Sequence, residues 1–489
     1  MRRINIILAA FVGLLLFSTT SCRKEFLDTK PPTLVMEDFF TSEDNARLAV
    51  NGCYDVMGWD GQHNTIPFFF GDIIGRDGWK GGDVGTDQDW MDNLINFTYT
   101  TDNYMLNIAW KNYYIGINRC NTAMENIEKM SSDLISDEVK AQLIAEAHFV
   151  RGYFYFELVK TWGKVPIVDH VLSPSEYQQP LAEESDVWAF IENDFQAAAD
   201  VLPLRSEQNP EDIGRATKGA AQAFLAKAYI FQKKWDKAKQ LTDEIIASNE
   251  YDLMSNYEDV FKMENENNEE IVFSIQFKET GNGDYGDENE GSMLEVYMQT
   301  RNHPFAGIGG WGFNCPTQNL VDEYEPEDSI RRESTIIRNN ETLWAGTPDE
   351  STFNTTFPTN IDHYSNQKYC LPPSQQPADF SDASKNWIVI RYADVLLWNA
   401  EAAYHTGGDW QTSLQKVRDR VGLGPTPYND PLKAIYHERR VELAMEGHRF
   451  WDVVRQGRGE EVLGQYGFIE GVHNHFPISQ DQLDLSDIW

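Results

Sequence analysis

The sequence is poor in positive charge. Its 489 residues carry 41 Lys and Arg against 77 Asp and Glu, which gives a formal net charge of −36. A protein that binds nucleic acid generally presents a cluster of basic side chains to the phosphates, and this chain has no Lys/Arg-rich run. The composition therefore argues against a nucleic-acid partner. It also favours a neutral ligand over an anionic one at long range, although a local basic pocket can override the overall field.

Familiar catalytic and metal-binding motifs are also lacking. The chain has no GxSxG, HExxH, P-loop, EF-hand or CxxC pattern. Residues 307–312 match GxGxxG, but they lie in loop-like sequence with Pro316 close behind, so we interpret them as a flexible segment that carries Trp311. We therefore predict no enzymatic activity and no cofactor. A structural calcium ion in the Asp-rich segment 83–92 is left open.

Cysteine is scarce. The four cysteines that follow the N-terminal region, Cys53, Cys120, Cys315 and Cys370, are far apart in sequence, which argues against a zinc site. Cys53 and Cys120 fall on the apolar faces of predicted helices, a position typical of buried thiols. An exported protein can oxidise such residues in pairs, so the sequence does not decide the disulfide state.

Three carboxylates recur at a spacing of four residues, Glu438, Glu442 and Glu446. With His437 and His448 beside them, they could hold a metal ion. The alternative is a charged helix face that pairs with the neighbouring arginines. We prefer the ion-paired interpretation, because carboxylates on one helix need partners from another helix to close a metal site.

The one long apolar run is at the N-terminus. Residues 6–17 are apolar or small and follow two arginines, a pattern typical of a signal peptide and too short for a transmembrane helix. Residues 18–22 read Ser-Thr-Thr-Ser-Cys and look like a bacterial lipobox. We therefore predict a lipoprotein signal peptide over 1–21, lipid attachment at Cys22 and a lipid-anchored tether over 22–40.

Helical periodicity dominates the remaining sequence. Apolar residues recur at three- and four-residue spacing over 137–162, 217–232 and 392–405. Small and large residues alternate over 217–248 in the manner of tetratricopeptide helix pairs. Residues 271–277 predict a strand.

The pattern as a whole predicts a mainly α fold. We expect a degenerate tetratricopeptide-like scaffold of about four helix pairs, formed by 41–270 and 386–460, with few short strands. Loop-rich sequence occupies 58–92 and, as a large insertion, 278–385. Long loops on a rigid scaffold usually carry function. We interpret 41–489 as one domain whose loop-rich part binds the ligand.

Flat aromatic side chains are concentrated in the two loop-rich segments. Trp59 and Trp79 lie in the first, Trp311 and Trp344 lie in the second, and Asp and Asn residues accompany them. A sugar ring offers an apolar face to an aromatic platform and hydroxyl groups to short polar side chains. We therefore expect a few of these aromatics to contact a carbohydrate, while others pack the loops onto the scaffold.

Several sequence blocks resemble the SusD/RagB family of Bacteroidetes outer-membrane lipoproteins. In the family's order they are CRKEFLDTKPP at 22–32, WKGGD at 79–83, INRCNTAMENI at 117–127, AEAHFVRGYFYFELVKTWGKVPIV at 145–168, PTQNLVDEYE at 316–325, IVIRYADVLLWNAEAAY at 388–404, HERRVELAMEGHRFWDVVR at 437–455 and HFPIS at 475–479. The resemblance implies a non-catalytic, lipid-anchored glycan-binding protein on the outer face of the outer membrane. It further implies that the protein is a lid on a SusC-like TonB-dependent transporter and delivers captured oligosaccharides for import.

The resemblance also locates candidate ligand contacts in the loop after the first helix, the loop around the Lys-Gly-Gly block and the loop before the Pro-Thr-Gln-Asn block. The implied residues are Trp59, Asp60, Asn64, Trp79, Asp87, Tyr104, Trp311, Asn314 and Tyr369. We expect Trp311 to be the principal aromatic platform. Asp60, Asn64 and Asp87 are expected to bind sugar hydroxyl groups.

Three alternatives stay open at this stage. The first is a peptide-binding protein of the same import system, in which backbone groups would matter more than flat platforms. The second is a lipid-anchored glycoside hydrolase, which requires a carboxylate pair in a cleft. The third is a helical scaffold without a small ligand, which would bury its aromatics and keep its loops short.

Overall fold

The computed structural model describes residues 39–59, 67–82, 87–281, 290–301, 310–357, 361–379 and 381–485. The predicted signal peptide, Cys22 and most of the predicted tether lie outside these residues. Within the described ranges, no helix combines the length and the apolar character that crossing a bilayer requires.

Helices form most of the described chain. The α-helices are α1 (Glu43–Gly58), α2 (Asp89–Ile95), α3 (Tyr104–Lys129), α4 (Asp137–Trp162), α5 (Glu184–Val201), α6 (Lys218–Phe231), α7 (Trp235–Ser248), α8 (Leu294–Met298), α9 (Gln318–Glu323), α10 (Ser329–Thr335), α11 (Tyr392–His405), α12 (Gln411–Arg420), α13 (Pro431–Glu442), α14 (Arg449–Arg455), α15 (Gly459–Leu463) and α16 (Gln480–Leu485). Single 3₁₀ turns occur at Pro174–Glu176, Arg205–Glu207, Pro210–Asp212, Tyr257–Phe261, Met263–Asn265, Pro373–Gln375 and Gly464–Tyr466, and a π-helical turn spans Pro67–Ile73.

Helix α4 is the centre of the scaffold, and its ends follow from its sequence. Ser136 caps the N-terminus by accepting a hydrogen bond from the backbone N–H of Val139. Gly163 ends the helix with a positive φ of 71°, a conformation that glycine adopts without steric cost. The helix is apolar nearly all round, because α3 and α5 pack against it from two sides.

Successive helices pack on one another in chain order. Helix α3 packs on α4, α4 on α5, α5 on α6, α6 on α7, and α7 on α11. Small residues admit large ones between the layers: a Cβ atom added to Gly116 of α3 would lie 2.2 Å from the ring of Phe154 on α4. The mainly α, tetratricopeptide-like scaffold that the sequence predicts is therefore confirmed.

The strands are short and occur in pairs. They are β1 (Gly78–Gly81), β2 (Ile271–Ile275), β3 (Phe313–Pro316), β4 (Ile336–Ile337), β5 (Thr342–Leu343), β6 (Ser351–Thr352), β7 (Ser365–Asn366) and β8 (Trp387–Arg391). The antiparallel pairs are β1 with β3, β2 with β8, β4 with β7 and β5 with β6. The loop-rich insertion thus contains strands β3 to β7 and helices α8 to α10. The pair β2–β8 joins the two ends of this insertion.

A buried group of charges connects this strand pair to the C-terminal helices. Arg391, at the end of β8, donates hydrogen bonds to Glu270 at 2.6 Å, to Glu442 at 2.5 Å and to Glu446 at 2.9 Å. Arg331 of the insertion donates to Glu442 at 3.1 Å. We name as the ionic core the residues with buried side chains Glu270, Arg331, Lys368, Arg391, Arg418, Arg420, Glu438, Glu442 and Glu446.

The ionic core shows how the regularly spaced glutamates are used. Glu438, Glu442 and Glu446 are ion-paired, as the preferred interpretation holds. Their partners differ from the expected ones, however, because they come from β8, α10, α12 and the insertion and not from the adjacent arginines. Glu446 lies beyond the end of α13, so the three residues do not share one helix.

The cysteines contribute to the apolar interior. Cys53, Cys120, Cys315 and Cys370 are all buried, and no disulfide joins any two of them. The burial of Cys53 and Cys120 confirms their predicted positions on the inner faces of α1 and α3.

Replacing Arg391 tests the contribution of the ionic core. Arg391→Met leaves three buried carboxylates without their common partner, so we expect it to lower the free energy of unfolding by about 3–5 kcal/mol. Arg47→Met, which removes partly exposed pairs with Glu43 and Asp212, is the control and should cost at most about 1 kcal/mol. Urea unfolding followed by circular dichroism measures both. Equal losses of unfolding free energy in the two variants would contradict a stabilising role for the ionic core.

Acid should weaken the ionic core in a defined pH range. Burial alone would raise the pKa of Glu442, but the guanidinium groups around it, Arg420 foremost, hold the pKa well below its usual value of 4.5. A depressed pKa contributes stability above the unfolded-state value, and this contribution is lost as the pH falls further. We therefore expect the Tm to fall steeply below about pH 4.5. Glu442→Gln should flatten that slope, and equal slopes in both proteins would contradict the prediction.

Candidate functional site

The two loop-rich segments meet in the two-stranded ribbon formed by β1 and β3. Trp79 lies opposite Cys315 in the register, and the N–H of Gly82 donates to the carbonyl of Gly312 at 2.9 Å. The chains approach too closely for a side chain at Gly81, where a Cβ atom would lie 1.7 Å from the Gly312 oxygen. The glycines of the Lys-Gly-Gly block are therefore required for this ribbon.

Trp79 is the most exposed tryptophan of the ribbon, with 38% of its surface accessible. Its Nε1–H donates to Oδ2 of Asp362 at 2.7 Å. The same oxygen accepts the backbone N–H of Gln318, also at 2.7 Å, at the start of α9. The indole is therefore held in one orientation while part of it stays in contact with solvent.

Trp311 is half-buried and rests on an aromatic cluster beneath the ribbon. Its ring meets Tyr297 edge-on, with centroids 4.7 Å apart and planes at 88°. Tyr297 in turn contacts Phe68 and Phe69.

Two further predicted residues, Asp87 and Tyr104, flank α2 in the sequence. Asp87 is half-buried, and its Oδ2 accepts a hydrogen bond from Nη2 of Arg301 at 2.6 Å. Tyr104, the first residue of α3, is 63% exposed. The preceding Asn103 donates from its amide to the carbonyl of Trp90 at 3.1 Å, which ties this end of α3 to α2.

The structure places two of the predicted ligand contacts in the interior of the protein. Asn314 is fully buried, and its Nδ2 donates to Oδ2 of Asp72 at 3.0 Å. Tyr369 is also buried, with its ring stacked on Trp387 at a centroid distance of 5.1 Å. Both side chains lie in the interior below the ribbon. They are buried there because each one contacts a partner within the chain.

The segment after α1 is described only in part. Trp59 is buried under the guanidinium of Arg119, which lies 4.9 Å from the ring centroid, and its Nε1–H donates to Asp55 at 3.2 Å. Asp60 and Asn64 lie outside the described residues. Trp79 thus lies in β1, Asp87 lies close to Gly82 at the end of β1, and Trp311 comes shortly before β3, whereas Tyr104 is near α2 and Trp59 faces the scaffold.

Models of one protein family match nearly the whole chain. The model described as "SusD family" matches residues 269–482, and the model described as "Starch-binding associating with outer membrane" matches residues 25–230. A SusD-like protein of Formosa agariphila is 29% identical, over 99% of this chain and 97% of its own length. The chain belongs to the SusD/RagB family.

Solved SusD-like structures have the same fold. A laminarin-binding SusD-like protein superposes with a TM-score of 0.80 at 29% identity, covering 91% of this chain and 98% of the other. Surface glycan-binding protein A from Bacteroides thetaiotaomicron gives a TM-score of 0.79 at 25% identity, covering 92% of this chain and 98% of the other. This chain thus has the same fold as these SusD-like proteins over most of its length.

Sequence reasoning missed two residues that shape the ribbon of this SusD-family chain. Asp362 orients Trp79 across a sequence separation of 283 residues. Arg301 pairs with Asp87 across 214 residues. No periodic pattern could have revealed either pair. The sequence indicated only that Asp362 and Arg301 lie in a loop-rich segment.

Asn314→Ala separates a structural role from a ligand-binding role. The asparagine has a positive φ of 49°, which disfavours alanine, and its amide satisfies the buried carboxyl of Asp72, whose pKa burial raises to about 8. We expect the substitution to lower the free energy of unfolding by about 2–3 kcal/mol. Urea unfolding measures the loss, with the exposed Asn339 replaced by Ala as the control. A change at Asn314 no larger than that of the control would contradict this account.

Proposed function

We propose that this chain is a cell-surface glycan-binding lipoprotein that captures oligosaccharides for import. The observation that carries the proposal is the orientation of Trp79, whose indole is fixed by Asp362 and partly exposed on the ribbon. An aromatic platform held in this way loses little conformational entropy when a sugar ring stacks on it.

The relatives support a carbohydrate ligand. The similar solved proteins carry names that describe laminarin binding and surface glycan binding. A 23% identical protein of Bacteroides thetaiotaomicron is named a starch-binding protein. These names describe binding and no reaction, which supports a non-catalytic role for this chain. The long-range field of a chain with net charge −36 favours a neutral glycan backbone at the ribbon.

The cellular setting follows from the N-terminal sequence and the family. The predicted lipid attachment at Cys22 and the predicted tether over 22–40 support a protein that is anchored in the outer membrane and faces the exterior. The description of one matching family model, which mentions association with the outer membrane, supports this location. The partner that fits a glycan-capturing lipoprotein is a SusC-like TonB-dependent transporter, on which the protein acts as a lid.

Binding of the mature chain (22–489) to a panel of neutral and charged polysaccharides tests the proposal. We expect saturable binding to a neutral glycan, with an affinity loss of about tenfold, or 1.4 kcal/mol, for Trp79→Ala and again for Trp311→Ala. Trp235→Ala is the matched control, because this tryptophan stacks on His405 within the helical scaffold. Isothermal titration calorimetry gives the affinities.

Other outcomes of the same experiment contradict the proposal. Saturable binding to peptides without binding to any glycan would assign the protein to peptide import. Shortened polysaccharide in the reaction mixture would show a glycoside hydrolase. Unchanged affinity in both ribbon variants would remove the ribbon from the binding site.

A further inference from the structure

A second cleft lies at the opposite end of α9 from Trp79. Gln318 begins this helix beside Asp362, and Glu323 ends it at the wall of the cleft. The cleft encloses about 500 Å³. Its walls are one side of α13 up to Arg440, the start of α14 and the beginning of α15. None of its lining residues belongs to the ribbon.

The lining is rich in cations for a chain of net charge −36. It contains Lys433, Arg440, Arg449 and Arg458, with His437 beside them, against the carboxylates of Glu323, Asp430 and Glu461. Several of these groups satisfy each other. Arg440 pairs with Asp77 at 2.6 Å and with Glu323 at 2.7 Å, and Arg458 pairs with Glu461 at 3.1 Å. Asp430 caps the N-terminus of α13.

Arg449 is the exception among these cations. Only 9% of the residue is exposed, and its guanidinium donates no hydrogen bond to any part of the chain that the structure describes. Its nearest carboxylate oxygen, on Asp77, is 3.8 Å away and already serves Arg440. Burial first, and then the charge of Arg440, lower the pKa of Arg449 to about 10. A buried guanidinium that makes no hydrogen bond, and that shares its one nearby carboxylate with Arg440, is stabilised by a further negative group next to it.

Lys433 extends the same positive surface toward solvent. Its ammonium lies 4.9 Å from the ring centroid of Tyr428 and hydrogen-bonds to no carboxylate among the described residues. Tyr436 forms the neighbouring wall, with the guanidinium of Arg458 5.6 Å from its ring centroid. The cleft therefore combines two cations that have room for an anionic partner with two aromatic walls.

We propose that this cleft binds an oxyanion, with Arg449 as its main partner and Lys433 as the second. The planar guanidinium fork matches the paired oxygens of a sulfate or carboxylate group. The volume and the aromatic walls admit the sugar that carries such a group as well as the free ion. The inference does not rest on glycan binding at the ribbon, since it uses a separate set of residues.

The test is a thermal and calorimetric titration of the mature chain with sodium sulfate, galactose 6-sulfate and glucuronate. Galactose is the neutral probe, and sodium chloride matches the ionic strength. We expect a saturable rise in Tm above the chloride control. Arg449→Gln should weaken binding at least tenfold, and Lys433→Gln about threefold. The exposed Lys129→Gln on α3 is the matched charge control and should leave the affinity unchanged.

The outcomes distinguish a free anion from an acidic sugar as the ligand, and binding in the cleft from binding at the ribbon. A response to sulfate alone assigns the site to a free inorganic anion, and a response to the charged sugars but not to galactose assigns it to an acidic sugar. Trp79→Ala should retain anion binding, so a failure at the ribbon leaves this result intact. No saturable response to any charged probe overturns the proposal. Equal affinity in Arg449→Gln, Lys433→Gln and the unmodified chain overturns it as well.

Discussion

The arrangement of this protein depends on charges that are buried and paired with one another. Arg391 reaches Glu270, Glu442 and Glu446 at once, and each carboxylate accepts from more than one donor. Such a network costs desolvation energy, and it is satisfied in one geometry alone. It therefore specifies how the strand pair β2–β8 meets α13. Apolar packing, which tolerates many arrangements, specifies this less well.

The same charges hold the irregular part of the molecule in place. Arg331 and Lys368 both belong to the insertion, and both end on glutamates of the C-terminal region. The insertion has only short strands and helices, so its internal hydrogen bonds alone give it little stability. Because these buried ion pairs fix the insertion to the C-terminal region, the ribbon can be irregular and still keep a defined position. A surface that is held before the ligand arrives binds with a smaller entropic cost.

The sequence predicted what depends on local patterns. The 3.6-residue periodicity gave α11 its bounds, Tyr392–His405, and the Gly163 stop of α4 was readable directly. Contacts between distant segments were not readable. The family resemblance implied that Tyr369 contacts a ligand, whereas the structure stacks its buried ring on Trp387. The orientation of Trp79 by Asp362 and the lack of a hydrogen bond at Arg449 also depend on such contacts.

The buried thiols have a consequence for the life of the chain before it folds. Burial raises the pKa of Cys315 and of Cys370 to about 12, so neither forms a reactive thiolate in the native protein. The unfolded chain has no such protection, and its four internal thiols titrate at ordinary values. Folding and oxidation are then in competition, because a wrong disulfide would keep α1 or the ribbon from closing. The yield of refolded protein after dilution from denaturant should therefore be lower in air than under a reductant. The chain must fold faster than its thiols oxidise.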